Sequence, residues 1–130
     1  MLRYLPFALV LLAGCADTPF TDAAPVGADG ITFTADQTRY GNGDEAHLTL
    51  RNGSDETLTT GVLECAGLER WDGSEWAFSP EGNDRACIEL AVVLEPGDSL
   101  GGDIQLDVPD GTYRFVLGYP DVATGSFRVE

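Results

Sequence analysis

Apolar and polar residues alternate along short stretches of this chain, and this period of two limits its fold more than any other feature of the sequence. In residues 45–52, Ala46, Leu48 and Leu50 occupy every second position, with polar residues between them. Since successive side chains of a β-strand point to opposite faces, one face of this segment is predicted to be buried. Similar segments recur from residue 31 onwards, separated by clusters of Gly, Pro, Asn and Asp. The pattern predicts an all-β, antiparallel sandwich or barrel with little helix.

The predicted strands are the segments between these turn signals. They are residues 31–40, 45–52, 57–65, 68–78 as a hairpin, 87–95, 99–108, 112–119 and 124–130. In the first segment and in residues 99–108, the alternating apolar residues are predicted to face the core; these are Ile31, Phe33, Ala35, Ile104, Leu106 and Val108.

Two tryptophans flank the Asp-Gly step at residues 72–73, which is the strongest short-range turn signal of the chain. A four-residue loop would place Trp71 opposite Trp76 across a hairpin. A two-residue loop would instead pair Arg70 with Glu75 and bury at most one tryptophan. Aromatic pairs stabilise sheets, and tryptophans also anchor binding partners. Trp71 and Trp76 are therefore candidates both for hairpin packing and for contact with a protein or glycan partner.

The first fourteen residues, MLRYLPFALVLLAG, have the three-part build of a secretory signal, with Arg3, an apolar run and two small residues. The apolar run is shorter than the stretch of about 20 residues that spans a bilayer. Cys15 follows directly, and the Leu-Ala-Gly-Cys step at residues 12–15 resembles the lipobox of bacterial lipoproteins. The resemblance implies a signal peptide over residues 1–14, cleaved just before Cys15, and acylation of the Cys15 thiol.

Residues 15–30 are predicted to form the lipidated N-terminus and a flexible tether, because Ala, Asp, Pro and Gly dominate them without any strand or helix period. The domain predicted over residues 31–130 would therefore lie close to a membrane, which is its expected partner through the lipid on Cys15. We expect the protein in the bacterial cell envelope, at the outer membrane or cell surface, on the periplasmic or extracellular side.

The chain is strongly acidic, with 22 acidic and 7 basic residues and a formal net charge of −15. This charge repels nucleic acid phosphates, so we expect no nucleic acid partner. The acidic residues are spread along the whole sequence, which favours a solvated skin of the salt-adapted kind over a surface for calcium or a cationic partner. Asp103, Asp107 and Asp110 offer the oxygens that calcium prefers, but EF-hand spacing is absent from the sequence, and we expect no metal.

Cys65 and Cys87 are the two cysteines beyond Cys15, and they flank the tryptophan hairpin. An exported chain reaches a compartment in which disulfides persist, so we predict a bridge between these two residues. Neither belongs to a CxxC step, and the single His47 cannot complete a cysteine-rich zinc set.

The stretch PDGTYRF at residues 109–115 resembles the entrance to the sixth strand of immunoglobulin-type sandwiches. Together with the turn signals before it, residues 31–130 are similar to bacterial Ig-like domains of envelope lipoproteins of unknown function. The resemblance implies an immunoglobulin-like antiparallel β-sandwich. It also implies that Tyr113 is a tyrosine-corner residue whose hydroxyl bonds nearby backbone, and that Phe115 takes the place of the usual second core cysteine.

Motifs for catalysis are missing from the sequence. It has no GxSxG, HExxH or phosphate-binding glycine loop, and His47 falls on the polar face of its strand. We therefore expect a non-enzymatic binding or accessory domain without a cofactor, with Trp71 and Trp76 as the candidate partner-binding residues. The alternative is a small β-sandwich proteinase inhibitor, since the chain is broadly similar to the bacterial intracellular proteinase inhibitor type.

Overall fold

The structure is a computed structural model, and it describes residues 29–83 and 86–130. These residues form eleven short strands and two single-turn 3-10 helices, Leu63–Cys65 and Glu81–Asn83. The strands are β1 (Ile31–Ala35), β2 (Arg39–Tyr40), β3 (Glu45–Asn52), β4 (Leu58–Gly61), β5 (Gly67–Trp71), β6 (Trp76–Phe78), β7 (Ala91–Leu94), β8 (Ser99–Gln105), β9 (Gly111–Gly118), β10 (Asp121–Ala123) and β11 (Phe127–Val129).

The strands build three sheets. One has the order β1-β3-β8, and a second has the order β2-β11-β9-β5-β6 with β10 added beside β9. β4 and β7 form a third, two-stranded sheet. The pairing of β2 with β11 is parallel, and every other pair in the described residues is antiparallel. The predicted all-β fold of antiparallel sheets is confirmed.

A single hydrophobic core joins the two larger sheets. Phe115 and Phe127 stack with ring centroids 5.2 Å apart, and Tyr113 and Tyr40 also pack against Phe127. The first sheet contributes alternate residues of its strands, as the period of two predicts. The fully buried members from that sheet and its continuation are Phe33, Ala46, Leu48, Leu50, Leu106 and, slightly less buried, Ile104 and Val108.

The segment 31–40, predicted as one strand, is two strands in different sheets. Ile31 and Phe33 are buried as predicted, whereas Ala35 is only partly buried at the end of β1. The chain crosses between sheets at Asp36, whose Oδ1 accepts hydrogen bonds from the Tyr40 hydroxyl (2.6 Å) and the His47 amide (3.0 Å). This carboxylate takes the place of a strand partner and permits the crossing.

The predicted strands 57–65 and 87–95 are longer than the strands that form. β4 ends at Gly61, opposite Ala91, because the chain then turns through Leu63–Cys65. This turn buries Leu63 in the core. Residues 87–90 consequently have no opposite strand in this sheet, and all four are exposed.

The helical content of the described part of the chain is limited to the two short turns. No helix within residues 29–83 and 86–130 has the length and apolar character needed to cross a membrane.

β9 defines two opposite ends of the domain. Its first residues lie next to the tip of the β5–β6 hairpin, since Arg70 is opposite Tyr113. Its last residue, Gly118, continues into β10, and the following Pro120 shares a cavity with Asp29. We call these the hairpin end and the tether end. The eight residues of β9 separate them by about 23 Å at roughly 3.3 Å per residue.

Candidate functional site

The β5–β6 hairpin places the two tryptophans opposite each other. Trp71 pairs with Trp76 in the ladder, and their ring centroids are 5.3 Å apart in an edge-to-face arrangement at 67°. The loop between them is therefore residues 72–75, and the four-residue alternative is confirmed. Such pairs contribute about 0.5–1.5 kcal/mol beyond the burial of their area. Both rings are nevertheless only partly buried.

Hydrogen bonds to one carboxylate order the loop at the tip. Asp72 Oδ1 accepts the backbone amides of Ser74 (2.8 Å) and Glu75 (2.9 Å), and the Asp72 amide donates to the Glu75 carbonyl (3.0 Å). The amides of Glu75 and Ser74 hold the pKa of Asp72 below its usual value. Gly73 occupies the left-handed region, with φ of 105°. The loop therefore presents both tryptophans in one defined geometry.

The tryptophans share the outer face of their sheet with a charged pair. Arg114 bonds Glu69 through Nη2 (2.8 Å) and Nε (2.9 Å), and its guanidinium carbon lies 4.7 Å from the centroid of the Trp76 ring. Phe78 is 68% exposed and lies opposite Glu69. We call these five residues (Glu69, Trp71, Trp76, Phe78 and Arg114) the hairpin surface.

This surface has the composition of a protein-binding site. Tryptophan and arginine dominate the binding energy of protein interfaces, and here each is held by a neighbour. Arg114 covers one face of Trp76, and the two indoles meet edge to face.

The sequence indicated the tryptophans but not the residues around them. Glu69 and Phe78 stand two positions from Trp71 and Trp76, so the period of two places each on the same face. Arg114 lies on a different strand, and its contact with Trp76 depends on the pairing of β5 with β9. The sequence alone does not give that pairing.

The predicted disulfide between Cys65 and Cys87 is present, with Cα atoms 5.4 Å apart. Cys65 precedes the first residue of β5, so the bridge lies at the base of the hairpin and not at its tip. After Phe78, residues 79–83 fold back on β5. The Asn83 side chain accepts the Leu68 amide (3.0 Å) and donates to the Leu68 carbonyl (2.9 Å), as a paired strand would.

The Tyr113 hydroxyl makes the type of contact that the immunoglobulin resemblance implies. It donates to the carbonyl oxygen of Pro109 at 2.6 Å, while the ring is buried. Burial raises the pKa of Tyr113. Arg70 covers the same corner, with Nη2 2.7 Å from the Asp110 carbonyl and its guanidinium 5.7 Å from the Tyr113 centroid. Phe115 is buried beside it, at the position predicted for a core residue.

His47 is exposed on the polar face of β3, as predicted, and it has a partner there. Its Nδ1 lies 2.6 Å from Asp103 Oδ1 on β8, and this hydrogen bond raises the pKa of His47. Asp103 thus contacts the histidine, and Asp107 is exposed on the same side of the chain. No group of three potential metal ligands occurs in the part of the chain that the structure describes.

The predictions for the N-terminus fall outside the described residues. They are the signal peptide over residues 1–14, the acylation of Cys15 and most of the tether over residues 15–30. Asp29 and Gly30 form a turn that leads into β1.

Comparison with known proteins adds no family. No protein-family model matches this chain, and no curated protein matches it significantly.

Proposed function

We propose that this chain is a non-enzymatic binding or accessory protein of the bacterial cell envelope, anchored by a lipid on Cys15. Its single domain would be immunoglobulin-like and would capture a protein partner at the hairpin surface. The observation that carries the proposal is the Trp71–Trp76 pair, which is ordered by its loop and only partly buried.

The immunoglobulin-like assignment is supported by strand order and by one hydrogen bond. A sheet of order β1-β3-β8 faces a sheet of order β2-β11-β9-β5-β6 across one core. The Tyr113 hydroxyl bonds the Pro109 carbonyl at the start of β9, as in a tyrosine corner.

The position of the hairpin surface also supports a binding role. The chain between Cys15 and the domain joins at the tether end, and the tryptophans lie at the opposite end of β9. A domain held by Cys15 would therefore carry the hairpin surface on the side away from the anchor, where a partner has access.

Capture from envelope extracts by the purified mature domain tests this function. We expect Trp71→Ala and Trp76→Ala each to weaken capture of the partner by about 2 kcal/mol, or roughly thirtyfold in Kd. Tyr119→Ala is the matched control, because Tyr119 is an exposed aromatic residue at the tether end, and it should leave capture unchanged. Thermal unfolding of each variant separates lost contact from lost folding.

Two results would contradict the binding function, and a third would contradict the choice of a protein partner. One is an unchanged set of captured proteins in both tryptophan variants. The other is stoichiometric inhibition of a subtilisin-like protease by the mature domain, which would instead support the proteinase-inhibitor function. Survival of the captured material after digestion with protease would identify a glycan as the partner and contradict the choice of a protein.

A further inference from the structure

The exposed apolar side chains of the domain are unevenly placed. Among the described residues, five large hydrophobic side chains are exposed. Phe78 belongs to the hairpin surface. The other four are Ile88 (72% exposed), Leu90 (58%), Val93 (56%) and Tyr119 (73%). Single exposed apolar residues are ordinary, whereas a cluster of them marks a surface that binds a protein, a ligand or a membrane.

These four residues belong to, or adjoin, one groove. Leu90 and Tyr119 line a groove of about 510 Å³ together with Val62 and Leu117. The other two adjoin it through its lining residues. Val93 lies opposite Thr59 in the β4–β7 ladder, and the Ile88 carbonyl oxygen lies 3.5 Å from the Cys65 sulfur. We call it the tether-end groove; its lining is Thr59, Thr60, Gly61, Val62, Cys65, Glu89, Leu90, Ala91, Leu117, Gly118 and Tyr119.

The groove lies where the N-terminal tether joins the domain. Asp29 shares a cavity with Leu58 and Pro120. Thr59, which follows Leu58, and Tyr119, which precedes Pro120, line the groove. Thirteen residues (16–28) separate Cys15 from Asp29 in the sequence. They reach at most about 50 Å when fully extended, so a lipid on Cys15 would hold the groove within that distance of the membrane.

We propose that the tether-end groove is a membrane-contact surface, in which Ile88, Leu90, Val93 and Tyr119 enter the headgroup region of the bilayer that holds Cys15. This inference rests on the lipid anchor of the proposed function. Tethering raises the effective concentration of membrane at the groove, so a weak apolar contact is enough to orient the domain. Tyrosine suits this position because its ring is apolar and its hydroxyl is polar.

The negative charge of the molecule distinguishes between the partners that the groove could contact. A second copy of this chain also carries a formal charge of −15, so self-association through the groove is repelled. Glu89 lines the groove and Asp121 lies two residues beyond Tyr119. Anionic lipid headgroups are therefore disfavoured, and the surface that fits is a zwitterionic one.

Fluorescence quenching by brominated lipid tests the contact. The chain from Cys15 onward retains every core residue, since the core lies between Ile31 and Val129. Coupling Cys15 to a maleimide lipid in phosphatidylcholine vesicles anchors it independently of native acylation, because Cys65 and Cys87 are bridged. Replacing both native tryptophans by phenylalanine leaves a single introduced tryptophan as the probe.

Tyr119→Trp on this background is the main probe, and Ile88→Trp is a second probe in the same patch. An interfacial apolar side chain sits about 5–10 Å inside the headgroup boundary, so brominated lipid should lower the emission of each about twofold. Phe78→Trp is the matched control on the hairpin surface, and its emission should not change. Adding phosphatidylglycerol to the vesicles should reduce quenching at position 119.

Equal quenching at positions 78, 88 and 119 would overturn the proposal, because the domain would then lie on the membrane without orientation. Absence of quenching at both patch positions would overturn it as well. A mass measurement of Cys15 in the native protein tests the anchor separately. If Cys15 carries no acyl group, the anchor of the proposed function fails and the native membrane contact fails with it; if Cys15 is acylated and position 119 is not quenched, only the contact surface fails.

Discussion

Asn52 shows how a single buried amide holds two loops of this domain together. Its side chain donates to the carbonyl oxygens of Glu56 (2.8 Å) and Leu94 (2.9 Å) and accepts the Ser54 amide (3.1 Å) and hydroxyl (2.6 Å). The Asn52 side chain is buried. Buried polar groups are tolerated when their hydrogen bonds are made, and here the donors and acceptors of the amide are all used.

Asn52→Ala should destabilise the domain by about 2–3 kcal/mol, since it takes a partner from the buried Leu94 carbonyl and from the partly buried Glu56 carbonyl and Ser54 amide. Asn42→Ala is the control, because Asn42 is exposed and its amide makes one bond, to the Val108 carbonyl. Urea unfolding of both variants checks this. Equal midpoints for the two variants would show that the hydrogen bonds of Asn52 add no more stability than the single bond of Asn42.

The His47–Asp103 pair makes a prediction about pH. The hydrogen bond that His47 donates to the Asp103 carboxylate raises the pKa of His47, so the folded state favours the protonated ring. The stabilisation is therefore fully present below the unfolded pKa of about 6.5 and is lost as the pH rises through the folded value.

NMR titration of the His47 ring measures this shift directly. In Asp103→Asn the pKa of His47 should fall towards the ordinary value, and the pH dependence of stability around neutrality should flatten. The unchanged titration of His47 in that variant would assign the shift to other carboxylates.

At the level of elements, the segment after β6 is fixed by close packing on β5. A Cβ at Gly82 would overlap Leu68 Cδ2 and would lie 2.9 Å from Leu68 Cβ. Together with the hydrogen bonds of the Asn83 side chain, this contact holds residues 79–83 against β5. Glycine is needed here for space rather than for an unusual backbone angle.

We predict that Gly82→Ala destabilises the domain by about 1–3 kcal/mol, because the methyl group forces Leu68 from its place in the core. Gly118→Ala should change stability by less than about 0.5 kcal/mol, since a Cβ there meets no atom within 4 Å. Thermal unfolding compares the two. A fully stable Gly82→Ala variant would mean that the 79–83 segment moves at little cost.

The elements that sequence reasoning locates well are those with one buried face. β3 and β8 have strict alternation, and their inward residues are buried as predicted. The predicted strands 57–65 and 87–95 are too long because some of their apolar residues lie outside strands. Leu63 fills the core from a turn, and Leu90 lines a surface groove. Local pattern does not distinguish these cases, since both depend on contacts between distant segments.

The candidate site, too, is predicted by the sequence only in part. The Asp-Gly step locates the hairpin, and the choice between two loop lengths requires the register, which the structure supplies. The crossing of the first segment from one sheet to the other at Asp36 is also set by a distant partner, the His47 amide. Sequence signals within a few residues are therefore informative, and long-range pairings are not contained in them.

For the whole molecule, the dominant property is its negative charge. At a formal net charge of −15, the folded state is destabilised by self-repulsion, which salt screens. The thermal midpoint should rise between about 0.01 M and 0.15 M NaCl, as the Debye length falls from about 30 Å to 8 Å. Calcium chloride at matched ionic strength should add little further stabilisation. A large additional shift with calcium would favour the calcium alternative for the acidic surface.

The two ends of the domain carry different surfaces. An apolar groove lies beside the tether, and the tryptophan pair lies at the other end of β9. On this account, one end meets lipid and the other meets a protein. Photo-crosslinking in intact envelopes, with a benzophenone amino acid in place of Phe78 or Tyr119, measures both contacts in the native setting. We predict protein adducts from position 78 and lipid adducts from position 119; protein adducts from position 119 alone, or no adduct from position 78, would contradict the account.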